Sequence, residues 1–285
     1  MLLIVGYVVI LLASVGTYAV HGSLAALWVP MEYLAIVGLA IGAFLAGNGT
    51  KAVKATLAAL PRVLKGSSLN KALYMDLLAM LFEVLSKVRK EGLMSIENDV
   101  ENPEQSPIFS KYPQILADHH VMEFTCDYLR MMVGGNLNAF EIENLMDIDI
   151  ETHHQEAHVP VNVVSKMADG LPAFGIVVAL MGVVNVMGSV GSPPPVLGRM
   201  IGGALVGTFM GVFLAYGLVG PFAARLTSII NEEAAYYKII QSVLIAHLHG
   251  NAAQISVEIG RGDIPSSAQP SFAEMEEVLN NVGSD

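Results

Sequence analysis

The sequence predicts an all-α polytopic membrane protein with four transmembrane helices and a helical cytoplasmic domain. Three observations carry that expectation. Apolar runs stand at 2–20 and 30–46 and twice within 168–222, each near the ~20 residues that a ~30 Å hydrocarbon core requires. Mean hydropathy is +0.55. Between the apolar runs the polar sequence keeps helical periodicity, with no Rossmann, OB or G-x-x-x-x-G-K-[ST] pattern. The chain therefore divides into an N-terminal hairpin (1–47), a cytoplasmic helical domain (48–167), a second hairpin (168–222) and a C-terminal helix and tail (223–285).

The N-terminal run lacks the basic segment that opens a signal peptide, so it is expected to remain as a first span, Leu2 to Val20. The second, Pro30 to Ala46, is short, which calls for tilt or an extension into the preceding link. Trp28, Tyr33 and Glu32 suit the interfacial rim at its entry. Lys51, Lys54, Arg62 and Lys65 follow this span, Lys166 precedes the third and Arg225 follows the fourth, while Arg199 alone falls in a link on the opposite side. The positive-inside rule then puts both termini and the middle domain in the cytoplasm.

In the middle domain, KAVKATLAALPRVLKG predicts an amphipathic helix along the interface, ended by Gly66. Lys71 to Lys90 carries a stripe of Leu77, Leu78, Leu81, Phe82, Leu85 and Val88, with Glu83 and Lys87 as an i,i+4 pair, and Gly92 interrupts it. NPEQSPIFSKYP is a turn-rich break, and Ile115 to Met132 and Leu137 to Ile150 predict two more helices around Gly134 and Gly135. Ala223 to Gly250 predicts a continuous cytoplasmic helix, either separate from the last span or a prolongation of it, Ile264 to Gln269 a loop, and FAEMEEVLNNV a short helix or a disordered end.

The net charge of −11 excludes a nucleic-acid partner, which needs a basic face. The single cysteine, Cys126, cannot form an intrachain disulfide. His153, His154 and His158 with Glu151 and Glu156 are the one candidate metal cluster, but lack the H-E-x-x-H arrangement; solvated or packing histidines are the expectation, and no cofactor or metal is implied. Nothing supports covalent catalysis.

The second hairpin carries the chemistry. Gly203, Gly207 and Gly211 recur at four-residue spacing, which lets helix backbones approach closely where lipid offers no hydrophobic drive for association. Asn185, Thr208 and Tyr216 are its polar groups, and Pro172 and Pro221 fall near one membrane face, at the start of its first helix and the end of its second. No Asp, Glu, Lys, Arg or His lies away from the ends of the spans. If the protein works by ion flow, a partner must bring the titrating group.

Three separated segments, RKEGLMSIE from Arg89 to Glu97, DGLPAFGIVVALMGVV from Asp169, and GTFMGVFLAYGLVGP ending at Pro221, resemble the MotA/TolQ/ExbB proton channel family along nearly the whole chain. The resemblance implies a flagellar motor stator subunit of the bacterial inner membrane. It implies a ring, understood as a pentamer, around MotB, which supplies a membrane aspartate and a peptidoglycan anchor, with torque delivered to the rotor protein FliG. On that resemblance Arg89 and Glu97, with Lys90 and Glu91 beside them, meet the rotor. Pro172, Thr208, Tyr216 and Pro221 belong to the ion path and its coupling. Ala179 stands where sodium-using relatives have threonine, so its missing oxygen points to H+ as the ion. The alternative is a TolQ- or ExbB-like channel subunit energising another envelope process, and the extra first hairpin favours the motor branch. A scaffold without ion flow is the third reading.

Overall fold

The computed structural model describes residues 2–66, 69–135 and 138–282. Helices joined by turns, bends and short irregular links make up these residues, with no strand among them. Among the described residues four helical stretches, Leu2–His21, Leu24–Gly47, Ala139–Met187 and Pro194–Leu248, are long and apolar enough to cross a membrane. The chain forms two compact units, one from Met1–Gly66 with Ala157–Ile229, the other from Ser67–Glu156 with Ile230–Asp285.

In the first unit, α1 (Leu2–His21) passes through one π turn at Leu12–Gly16. There the Ser14 hydroxyl donates to the Ile10 carbonyl at 2.6 Å. A one-turn helix at Leu24–Leu27 fills the link, and α2 (Pro30–Gly47) starts on Pro30, where a missing N–H costs nothing. The extension expected for the second span is thus present as a separate turn. Trp28 and Tyr33 meet edge to face at 6.1 Å, and the Tyr33 hydroxyl donates to the Leu27 carbonyl. The amphipathic α3 (Thr50–Lys65) ends at Gly66, whose φ of 82° suits a residue without a Cβ. Ile36, Ala40, Leu171, Val178 and Ala215 form the small buried core of this unit.

In the second unit α4 (Lys71–Glu91) is capped by Asn70, which accepts from the Leu73 N–H at 3.0 Å. The expected stripe is its buried face, with Phe82 half-buried at the edge. Gly92, at φ 87°, ends it. Short 3₁₀ turns carry the chain through the Pro-rich break to Asp118, which caps α5 (His119–Gly134) by accepting from the Val121 N–H. Burial pushes the Cys126 thiol on α5 up to about 11, so it is a packed, protonated group at neutral pH. The α8 helix (Ala253–Gly262) packs so closely that a Cβ on Gly260 would run into Val243. The terminal α9 (Phe272–Val282) buries Met275 and Leu279.

Two expectations need correction. Glu83 does not pair with Lys87 along α4: it accepts from Lys111 and from the Tyr112 hydroxyl, each at 2.6 Å, while Lys87 turns to Asp99 at 2.7 Å. The turn-rich segment packs over α4, and its charged groups displace a weak surface pair. The helix expected to end at Ile150 instead runs unbroken as α6 (Ala139–Met187), through Pro160 and Pro172; the expected start at Leu137 lies outside the described residues. The last span and the helix after it are likewise one element, α7 (Pro194–Leu248).

Candidate functional site

The α6–α7 hairpin turns through Gly188 to Pro193, and Pro194 opens α7. Its helices touch through bare backbone. A Cβ on Gly175 would stand 2.8 Å from the Gly207 carbonyl oxygen, and one on Gly211 2.6 Å from that of Leu171. A Cβ on Gly182 would meet Ala204 Cβ at 2.7 Å. Of the three glycines spaced by four, Gly207 and Gly211 pack on α6. Gly203 looks elsewhere: a Cβ there would lie 3.6 Å from Val29 and 3.7 Å from the Glu32 carboxylate at the start of α2. The α6 side of the contact, Gly175 and Gly182, escaped the four-residue search because these residues stand seven apart, two turns along the same face.

Ala179 and Thr208 share one layer of this hairpin, since the Ala179 backbone nitrogen stands 3.4 Å from a Cβ on Gly207. Both are half-buried, and among the described residues the Thr208 hydroxyl makes no hydrogen bond. Tyr216 is 69% exposed, on a π turn spanning Leu214–Val219. Within that turn the Gly220 N–H reaches back five residues to the Ala215 carbonyl. The widened backbone accommodates Pro221, whose ring would otherwise press on the carbonyl one turn back. Neither proline lies at a helix end: Pro172 is inside α6 and Pro221 inside α7. Pro172 leaves the Ala168 carbonyl without its usual helical donor.

The charged sequence Arg89, Lys90, Glu91 ends α4 in the second unit, and Glu97 opens a short helix, Glu97–Glu101, across a 3₁₀ turn. All four side chains are exposed, and among the described residues none forms an ion pair within 4 Å. Their support is buried. Asp99, 2% exposed, accepts from Lys87 and from the Ser106 hydroxyl at 2.7 Å each, and Ser106 Oγ in turn accepts from the Ile108 and Phe109 N–H groups. Glu101 holds Arg130 at 2.7 Å. Burial and the Arg89 charge hold the His247 imidazole below its ordinary value, against a hydrogen bond with the Asn251 backbone. The His153 ring packs edge-on against Tyr237 at 4.9 Å and beside His120 at 5.9 Å. Among the described residues no group of three or more His, Cys, Asp or Glu is placed to hold a metal ion.

These features define a helical membrane protein with a glycine-packed hairpin that carries no acid or base of its own away from its ends. The model described as Motility protein A N-terminal matches residues 4–92, and that of the MotA/TolQ/ExbB proton channel family matches 117–239. The chain is 47% identical over 283 residues to Motility protein A of Escherichia coli (strain K12), covering 99% of this chain and 96% of that one. It is 46% identical to Motility protein A of Salmonella typhimurium, with the same coverage. The solved MotAB structure from C. jejuni shares the fold at a TM-score of 0.77 and 20% identity, over 95% of this chain and 98% of that one. The chain belongs to the MotA/TolQ/ExbB proton channel family, among its motility proteins A.

Proposed function

We propose that the chain is a flagellar motor stator subunit that, with a MotB-type partner, forms an inner-membrane proton channel and converts ion flow into torque. The observation that carries this is 47% and 46% identity to two motility proteins A along nearly the whole chain, across both apolar hairpins and the helices between them. The hairpin chemistry agrees with it. Gly175, Gly182, Gly207 and Gly211 bring α6 and α7 together, and Ala179 and Thr208 lie in one layer of that contact. The spans hold no acid or base away from their ends, so the titrating carboxylate comes from the partner. Pro172 and Pro221, each set inside a long helix, couple its protonation to helix movement. Tyr216 stands on the widened turn just before Pro221.

In this reading Leu2–His21, Leu24–Gly47 and the apolar parts of α6 and α7 span the bilayer, and both termini lie in the cytoplasm, following Lys51, Lys54, Lys65, Lys166 and Arg225. Several copies, a pentamer, surround the partner. Arg89, Lys90, Glu91 and Glu97 face FliG, and no covalent catalysis takes part.

The test is complementation of a non-motile host that lacks its own motility protein A, with motor speed followed as proton and sodium gradients are varied separately. The expected result is motility whose speed follows the proton gradient. Speed that follows sodium at constant proton-motive force overturns the assignment of the ion, and a complex that conducts but never restores swimming overturns the motor reading.

A further inference from the structure

The α3 helix carries three different faces. Thr56, Ala59 and Val63 are buried. Leu57, Leu60 and Leu64 are 56%, 42% and 61% exposed on the adjoining face. Lys51, Lys54, Arg62 and Lys65 lie beyond the leucines. A helix with leucines and lysines on neighbouring faces rests in the plane of a membrane interface.

Where α3 ends, a cavity of about 650 Å³ opens against the start of α1 and the Pro221–Ser228 stretch of α7. Its wall includes Leu3, Gly6, Ile10, Val63 and Pro221, and Arg225 is the only charged side chain among its described lining residues. Arg225 is half-buried, and it makes no hydrogen bond or ion pair among the described residues. One of its guanidinium nitrogens stands 3.6 Å from where a Cβ on Gly66 would be, beside the last turn of α3. The negative end of that helix compensates part of the charge, but the forked donors remain unfilled. The nearby phenol does not compete, because the Tyr7 hydroxyl donates to the Leu218 carbonyl at 2.8 Å.

An unfilled planar fork at the edge of an apolar slot, beside a basic interfacial helix, matches a phosphodiester joined to a hydrocarbon tail. We propose that this cavity holds one anionic phospholipid, its phosphate on Arg225 and an acyl chain along Leu3, Gly6 and Ile10. The lipid joins α1 and α3 to the middle of α7, beside Pro221. The proposal depends on membrane residence and not on the motor reading, so variants of Arg89 or Glu97 do not bear on it.

The test uses the full chain, co-purified with its partner from nanodiscs containing equal phosphatidylglycerol and phosphatidylcholine, with native mass spectrometry reading the retained lipid. Phosphatidylglycerol is expected to stay with the wild type, and Arg225→Gln to retain roughly fivefold less, the effect of one cation near a headgroup. Gly6→Leu supplies the second variant. Gly6 lines the cavity and a Cβ there meets nothing within 4 Å, so a leucine at this position is expected to occupy the slot and displace the lipid while the protein stays folded. Arg199→Gln, outside the cavity, is expected to retain it. Equal retention by wild type, Arg225→Gln and Gly6→Leu overturns the proposal. So does equal retention of phosphatidylcholine, or a photo-crosslinker at Leu3 that captures a protein chain in place of lipid.

Discussion

Gly175 and Gly211 leave no room for a methyl group on either helix. A Cβ on Gly175 would stand 3.0 Å from the Gly211 Cα, and one on Gly211 2.8 Å from the Gly175 Cα. Both obstacles are backbone, which cannot rotate aside. Gly175→Ala and Gly211→Ala are each expected to destabilise the hairpin by about 1–3 kcal/mol, the usual cost of overpacking, and to reduce swimming. Gly42→Ala, where a Cβ meets nothing within 4 Å, is the control and is expected to melt at or slightly above the wild-type temperature. Thermal unfolding of the purified complex compares them, and identical melting of all three variants would remove the close contact from the account.

The exposed charges around Gly92 allow the proposed rotor contact to be tested apart from folding. Arg89→Glu and Glu97→Arg touch no ion pair among the described residues, so stability should change by no more than about 0.5 kcal/mol. Swimming in soft agar is expected to fall sharply while co-purification with the partner is unchanged. Normal swimming by the double variant would mean that this surface does not meet the rotor.

Asp99 is the buried post under that surface. Removing its carboxylate strands the Lys87 ammonium and the Ser106 hydroxyl, and breaking such a pair costs about 3 kcal/mol. Asp99→Ala should therefore lower the melting temperature and silence motility without altering any exposed charge. If it melts like the wild type yet fails to swim, Asp99 has a role beyond support.

The docking of α9 responds to acid. Lys71 beside Glu274, with Ser271, holds the Glu274 carboxyl down at about 2. A depressed carboxylate contributes stability above its unfolded value near 4.5 and loses it as pH falls through about 2. Hydrogen exchange over 272–282, corrected for intrinsic rates, should thus quicken between pH 4.5 and 2 relative to the rest of the second unit. Both side chains are nearly half-exposed, so salt should weaken the effect. Lys71→Met should shrink this acid-induced change and leave what remains just below pH 4.5, and an undiminished change would exclude the pair as its cause.

Much of the helical plan is legible because burial leaves a period. The α4 stripe and the glycines at 66 and 92 mark their elements from sequence alone. What is not legible depends on tertiary partners. Pro172 reads as the start of a span, yet α6 continues through it and through Pro160, since the packing of a long helix outweighs one lost hydrogen bond. Glu83 finds Lys111 and Tyr112 from a segment that local spacing cannot place. In the candidate site the glycines, prolines, Ala179 and Thr208 could be singled out as residues. The division of the glycine row between α6 and the rim of α2 could not, because it depends on which neighbour each face meets.

The π turn at Leu214–Val219 also settles a matter of phase. At about 100° per residue, an uninterrupted α-helix would carry Leu226 about 100° round from Gly207, and its buried neighbours Ala223 and Ile229 with it. A π turn spends one extra residue, which absorbs about that angle. The two halves of α7 therefore keep their packed faces in line, and a sequence out of step with itself on either side of Tyr216 is brought back into register by a single surplus residue.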